Sequence, residues 1–125
     1  MNCAKYFLAI TVVALLAGQP AGAGEADVTD VAVRSSSGGG FHFDVTVRHA
    51  DEGWQHYADA FEIVGPTGKV LGTRVLFHPH VTEQPFTRSL RDVRIPAGVK
   101  AVQVRARDKV HGLGGKTLRV NLPGR

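Results

Sequence analysis

The sequence predicts an all-β fold, an immunoglobulin- or fibronectin-III-like antiparallel β-sandwich of about seven strands, and three observations predict it. From Glu25 onward the apolar residues recur with period two rather than the helical period of about 3.6. Clusters of Gly, Pro and Ser interrupt that alternation at short intervals, as turns between strands require. No stretch has the length and apolar spacing of a long helix; the cysteine pair of immunoglobulin domains is missing, and a small barrel of similar strand spacing is the alternative.

The first 23 residues stand outside this pattern. Lys5 supplies a short positive region, Phe7 to Ala17 is apolar except for Thr11, and Ala21-Gly22-Ala23 has the small residues of a cleavage site. The expectation is a secretory signal peptide over residues 1–23, cut after Ala23, leaving residues 24–125 as a single β-sandwich domain in the periplasm or secreted. The apolar run is shorter than the roughly 20 residues a membrane span needs, so no membrane span is expected after cleavage. Cys3 lies at the start of the leader and not at its end, where a lipid-acceptor cysteine would stand. Cys3 and Met1 are also the sole cysteine and methionine, so the expected mature chain has neither a disulfide nor a sulfur ligand. The net charge of +4 is modest and its signs are interspersed, with no basic block for nucleic acid.

Taken in order, the first strand runs over about Val28 to Arg34 and ends at Ser35-Ser36-Ser37-Gly38-Gly39-Gly40. The second, Phe41 to His49, alternates cleanly, with Phe41, Phe43, Val45 and Val47 on one face and His42, Asp44, Thr46 and Arg48 on the other. Ala50 to Ala58 is a polar connection, expected to hold a short helical turn, and the lone Trp54 within it is expected to pack into the core. A strand from Ala60 to Val64 meets Gly65-Pro66-Thr67-Gly68, a tight hairpin turn, and Lys69 to Phe77 returns antiparallel. Phe86 to Ile95 is the fifth strand, bent near Leu90 to Asp92 and ended by Pro96-Ala97-Gly98. Val99 to Asp108 alternates with Val102, Val104 and Ala106 inward, and a glycine-rich turn leads to the last strand, Lys116 to Leu122. Arg105, Arg107 and Arg119 fall outward, where acidic neighbours on a solvated sheet face are the expected partners and a basic stripe for an anionic partner is the alternative.

Antiparallel order turns these elements into a statement about the histidines. The second strand ends at one pole with His49, the next connection holds His56 there, and the fourth strand returns to deliver His78 and His80. In a sandwich of this type the loop between the last two strands, with His111, lies at the same end. His42 begins its strand and is left at the opposite pole. In His78-Pro79-His80 the two imidazoles, two residues apart on an extended chain, project to one side. His78 and His80 are therefore the expected pair of metal ligands, with His49, His56 or His111 completing the site, Asp51, Glu52, Glu83 and Asp108 as accessory carboxylates and Trp54 and Tyr57 as candidate walls or ligand-stacking groups. Without sulfur, nitrogen and oxygen donors favour Cu(II) or Zn(II).

His56-Tyr57-Ala58-Asp59-Ala60-Phe61-Glu62, Leu76-Phe77-His78-Pro79-His80 and Glu83-Gln84-Pro85-Phe86-Thr87-Arg88 resemble segments of a group of small, uncharacterised exported bacterial proteins. The resemblance implies an exported domain and carries no activity or residue role. Nucleophilic catalysis has no motif here, because Ser35 to Ser37 sit in a glycine-rich loop away from the histidine pole. The function expected from the residues is that of a small exported metal-binding protein, for carriage, sequestration or sensing. Its partners would be the metal ion and another periplasmic protein, with no nucleic acid. The alternatives are a non-catalytic protein- or glycan-binding module using the same loops, and a metal-dependent enzyme with an open coordination position.

Overall fold

The computed structural model of the protein describes residues 24–125, and the expected signal peptide lies outside the described residues. The described residues form seven strands: β1 (Asp27–Ser35), β2 (Phe41–Arg48), β3 (Ala58–Val64), β4 (Val70–Val75), β5 (Phe86–Val93), β6 (Ala101–Asp108) and β7 (Leu118–Asn121). They make a three-stranded sheet in the order β1-β2-β5 and a four-stranded sheet in the order β4-β3-β6-β7, with every pairing antiparallel. This is the immunoglobulin-like sandwich that the alternation predicts.

The two inner faces meet in one core. Val28, Phe43, Val45, Val47 and Phe86 come from the first sheet and Phe61, Ile63, Val102 and Val104 from the second, all buried. Burial of apolar surface at about 25 cal/mol per Å² is what holds the sheets face to face, and the alternation of β2 and β6 delivers it residue by residue. The β2–β5 ladder shifts register between Phe41 and Phe43, opposite Leu90 and Val93. Asp92, at φ 54°, absorbs the extra residue there, so the bend expected near Leu90 to Asp92 is a bulge. Two of the three outward arginines pair with acidic neighbours, Arg105 with Glu62 at 3.0 Å and Arg107 with Asp59 at 3.9 Å.

Two expectations for the β2–β3 connection are corrected. It contains a tight turn rather than a helical one: the Glu52 N–H donates to the His56 carbonyl (2.8 Å), the His56 N–H donates to Gly53, and Gly53 takes φ 121° at the tip. Trp54 is not core but 63% exposed, because that tip lifts it off the sandwich, where its ring meets Tyr57 edge-on at 5.9 Å between centroids.

The start of β1 is clamped hard against the loop before β7. The Val28 N–H donates to the Lys116 carbonyl and the Lys116 N–H to Asp27 Oδ1. A β-carbon on Gly115 would stand 2.0 Å from the Ala26 carbonyl oxygen, so this crossing requires glycine.

Candidate metal centre

The inward alternation of two strands, continued by one step, builds the site. On β2 the buried series Phe43, Val45, Val47 runs on to His49, and on β6 the series Val102, Val104, Ala106 runs on to Asp108. One residue comes from each sheet, so an imidazole and a carboxylate meet beneath the same pole. The β2–β3 turn adds His56, two residues before Ala58, which is itself buried.

His49 Nε2 and His56 Nε2 each lie 3.5 Å from Asp108 Oδ2, and the three residues offer donor atoms within 4.8 Å of one another. Metal–ligand bonds of about 2.0–2.1 Å in tetrahedral array put neighbouring donors roughly 3.4 Å apart, which the two 3.5 Å separations match. His56 Nε2 is buried without a hydrogen-bond partner. A buried polar atom left unpaired costs stability, and a metal ion would complete it. The group of His49, His56 and Asp108 could therefore hold a metal ion.

The surrounding contacts orient these donors. The Nδ1–H of His49 donates to Asp51 Oδ1 at 2.5 Å, leaving Nε2 turned toward Asp108; a carboxylate behind an imidazole fixes the ring in this way at metal sites generally. That Nε2 also faces the Gly24 carbonyl oxygen at 2.8 Å, a contact that a proton on Nε2 would make and a metal ion on Nε2 would replace. The Asp108 side chain is fully buried. Its Oδ1 accepts the N–H groups of Val110 and His111, and its Oδ2 accepts from His111 Nδ1 at 2.8 Å. Burial pushes the Asp108 carboxyl up, but the hydrogen bonds from His111 and Val110 outweigh it and hold it below the usual range. The group is thus kept as a carboxylate in the core. Glu52 Oε2 lies 3.4 Å from His56 Nδ1.

The remaining histidines are placed as follows. The His111 ring is 5.0 Å from that of His56, within the same cluster, and is bound through Asp108. His78 and His80 reach the pole as the strand order requires and pack together, with ring centroids 4.6 Å apart. They join the cluster through the backbone, since the His80 N–H donates to Asp51 Oδ2 at 2.7 Å. The expected His78–His80 pair is not the group that meets a carboxylate: the His80 ring stacks on Phe86 at 4.0 Å and its Nε2 accepts from Arg88 at 2.9 Å, while its buried Nδ1 has no hydrogen-bond partner. Burial first, then the charges of Arg88 and His78, push the His80 imidazole down from its ordinary value. Glu83 pairs with Arg88 at 3.5 Å rather than with a histidine. His42 is at the far pole, its Nδ1 accepting the Asp92 N–H.

Two participants escaped the sequence reading. Gln84 accepts the His49 N–H and donates to the His80 carbonyl, tying the two histidine segments together. Gly24 carries no side chain to signal its role, and only the fold brings its carbonyl to His49.

Among the described residues, no helix is long and apolar enough to cross a membrane. No family model matches the chain, and no solved structure does. The chain is similar to a protein of Halomicrobium mukohataei named "Putative lipoprotein", with 41% identity over 97 residues, 78% of this chain and 47% of that protein. It thus spans about half the length of that relative, and the likeness brings no activity with it.

Proposed function

We propose that the protein is an exported metal-binding domain that holds Cu(II) or Zn(II) through His49 Nε2, His56 Nε2 and Asp108 Oδ2, and that it carries, sequesters or senses the ion without catalysis. The observation that supports this most is the partnerless buried Nε2 of His56, 3.5 Å from a buried carboxylate oxygen that lies equally far from His49. Nitrogen and oxygen donors with no sulfur suit either ion, and copper is generally bound the tighter. His111 steadies Asp108, and Asp51 steadies His49 and anchors the segment holding His78 and His80. Export is supported by the leader-like residues 1–23 and by the lipoprotein name of the relative.

The test is titration of untagged protein with Cu(II) and Zn(II) at pH 7.5 and again at pH 5. Stoichiometric binding is expected at pH 7.5 and weaker binding at pH 5, where protons compete for imidazole nitrogen. Binding that persists unchanged in a His56→Ala, Asp108→Asn double variant, folded by circular dichroism, overturns the proposal.

A second reading rests on Trp54, whose 63% exposure beside Tyr57 gives the same pole an aromatic tip suited to a protein or glycan partner. Loss of partner capture in Trp54→Ala, with metal binding intact, would favour that reading.

A further inference from the structure

The atom that faces His49 Nε2 across 2.8 Å is the carbonyl oxygen of Gly24, the residue that follows the expected cleavage point after Ala23. The fold holds the residues that follow it. Ala26 is buried, and the glycine crossing at Gly115 presses residues 26 and 27 against the loop before β7. Gly24 itself has open space around its α-carbon, since an added β-carbon would meet nothing within 4 Å. The backbone nitrogen of a residue is three bonds from its own carbonyl oxygen and at most roughly 3.6 Å away. Rotation about the Gly24 backbone can therefore exchange nitrogen for oxygen at the site.

The chemistry of that nitrogen changes on cleavage. Joined to Ala23 it is an amide whose lone pair is delocalised into the peptide bond, and it is a poor ligand. Released, it is an α-amine with a free lone pair. We infer that signal-peptide cleavage completes the metal centre: the α-amino nitrogen of Gly24 becomes the fourth donor to a Cu(II) ion held by His49, His56 and Asp108. The inference rests on the metal reading above and deepens it. Three nitrogens and one carboxylate oxygen then fill the coordination positions, and the uncleaved precursor is a weak binder. The metal is taken up by the processed protein and not by the chain before export.

The test compares two forms of the protein that both contain every described strand. One is collected after export processing, with Gly24 verified as its first residue by mass spectrometry, and the other retains Ala21-Gly22-Ala23 ahead of Gly24. Urea midpoints in chelator establish that both are folded. Cu(II) is titrated into each at pH 7.5, and nitrogen superhyperfine coupling in the electron paramagnetic resonance spectrum counts the nitrogen donors. The inference expects one Cu(II) with three nitrogens in the processed form, and affinity about 100-fold weaker with two nitrogens in the extended form, at the top of what loss of an outer contact alone would cost. Equal affinities and identical spectra overturn the inference while the His49–His56–Asp108 reading stands. Failure of both forms to bind, or unchanged binding by the processed His56→Ala, Asp108→Asn variant, overturns that reading and the inference with it.

Discussion

Substituting Asp51 with Asn should destabilise the metal-free protein more than a change of one atom suggests. Asp51 is buried, and its two oxygens accept three N–H groups: His49 Nδ1 at 2.5 Å and Ala58 N at 3.0 Å on Oδ1, and His80 N at 2.7 Å on Oδ2. An asparagine fits the same volume but has one oxygen. With that oxygen toward His49 and Ala58, its NH₂ confronts the His80 N–H, donor against donor. Losing that bond and stranding a buried donor costs about 2 kcal/mol, and weakening the other two from charged to neutral acceptors roughly 0.5 kcal/mol each. The total is about 3 kcal/mol. In urea, with a slope of about 1–1.5 kcal/mol/M for a chain of this size, the midpoint should fall by about 2–3 M. The measurement is equilibrium unfolding in chelator, followed by fluorescence and far-ultraviolet dichroism together. A shift below about 0.5 M would refute the assignment of Asp51 as the buried tie between the two histidine segments.

Gly115→Ala forces its new β-carbon against the Ala26 carbonyl at 2.0 Å, so the start of β1 must move; the expected cost is about 2–3 kcal/mol, and an unchanged thermal midpoint would refute it. Because burial and then Arg88 depress the His80 imidazole, His80 contributes stability above its unfolded pKa near 6.5, lost as pH falls through the lower folded value. The metal-free protein should accordingly lose stability between pH 7.5 and pH 5, and less so in His80→Gln; equal losses in urea midpoint would exclude His80 as a source. Trp54→Ala should change the unfolding free energy by no more than about 0.5 kcal/mol, since the ring is exposed, whereas a larger drop would mean that the side chain packs more tightly than its 63% exposure implies.

The fold was legible because period-two alternation is a local property, and one central strand of each sheet, β2 and β6, obeys it. Phe41, Phe43, Val45 and Val47 fall inward as their spacing requires, and so do Val102, Val104 and Ala106. The same rule, carried one step further, identifies His49 and Asp108 as inward residues at the strand ends, which is the strongest signal of the site that the sequence contains. The antiparallel order was enough to bring His78, His80 and His111 to the same pole. It could not show which rings face each other: the stacking of His80 on Phe86 and its contact with Arg88 depend on pairings between distant strands. Trp54 was misplaced because a turn with Gly53 at positive φ and a short helical turn look alike in composition. Gly24 was invisible, since a backbone carbonyl leaves no mark on a sequence pattern.

His49 follows a strand of one sheet and Asp108 ends a strand of the other. An ion shared between them would be a reversible staple through the sandwich, in a chain whose described residues contain no cysteine to make a permanent one. A cross-link closing a loop of about 60 residues restricts the unfolded chain by roughly 4 kcal/mol in the entropic treatment of disulfides. Metal supply would then set how readily the two layers come apart. Chelation or acid would act on this protein as reduction acts on a disulfide-bridged one, turning a protease-resistant domain into one that can be degraded.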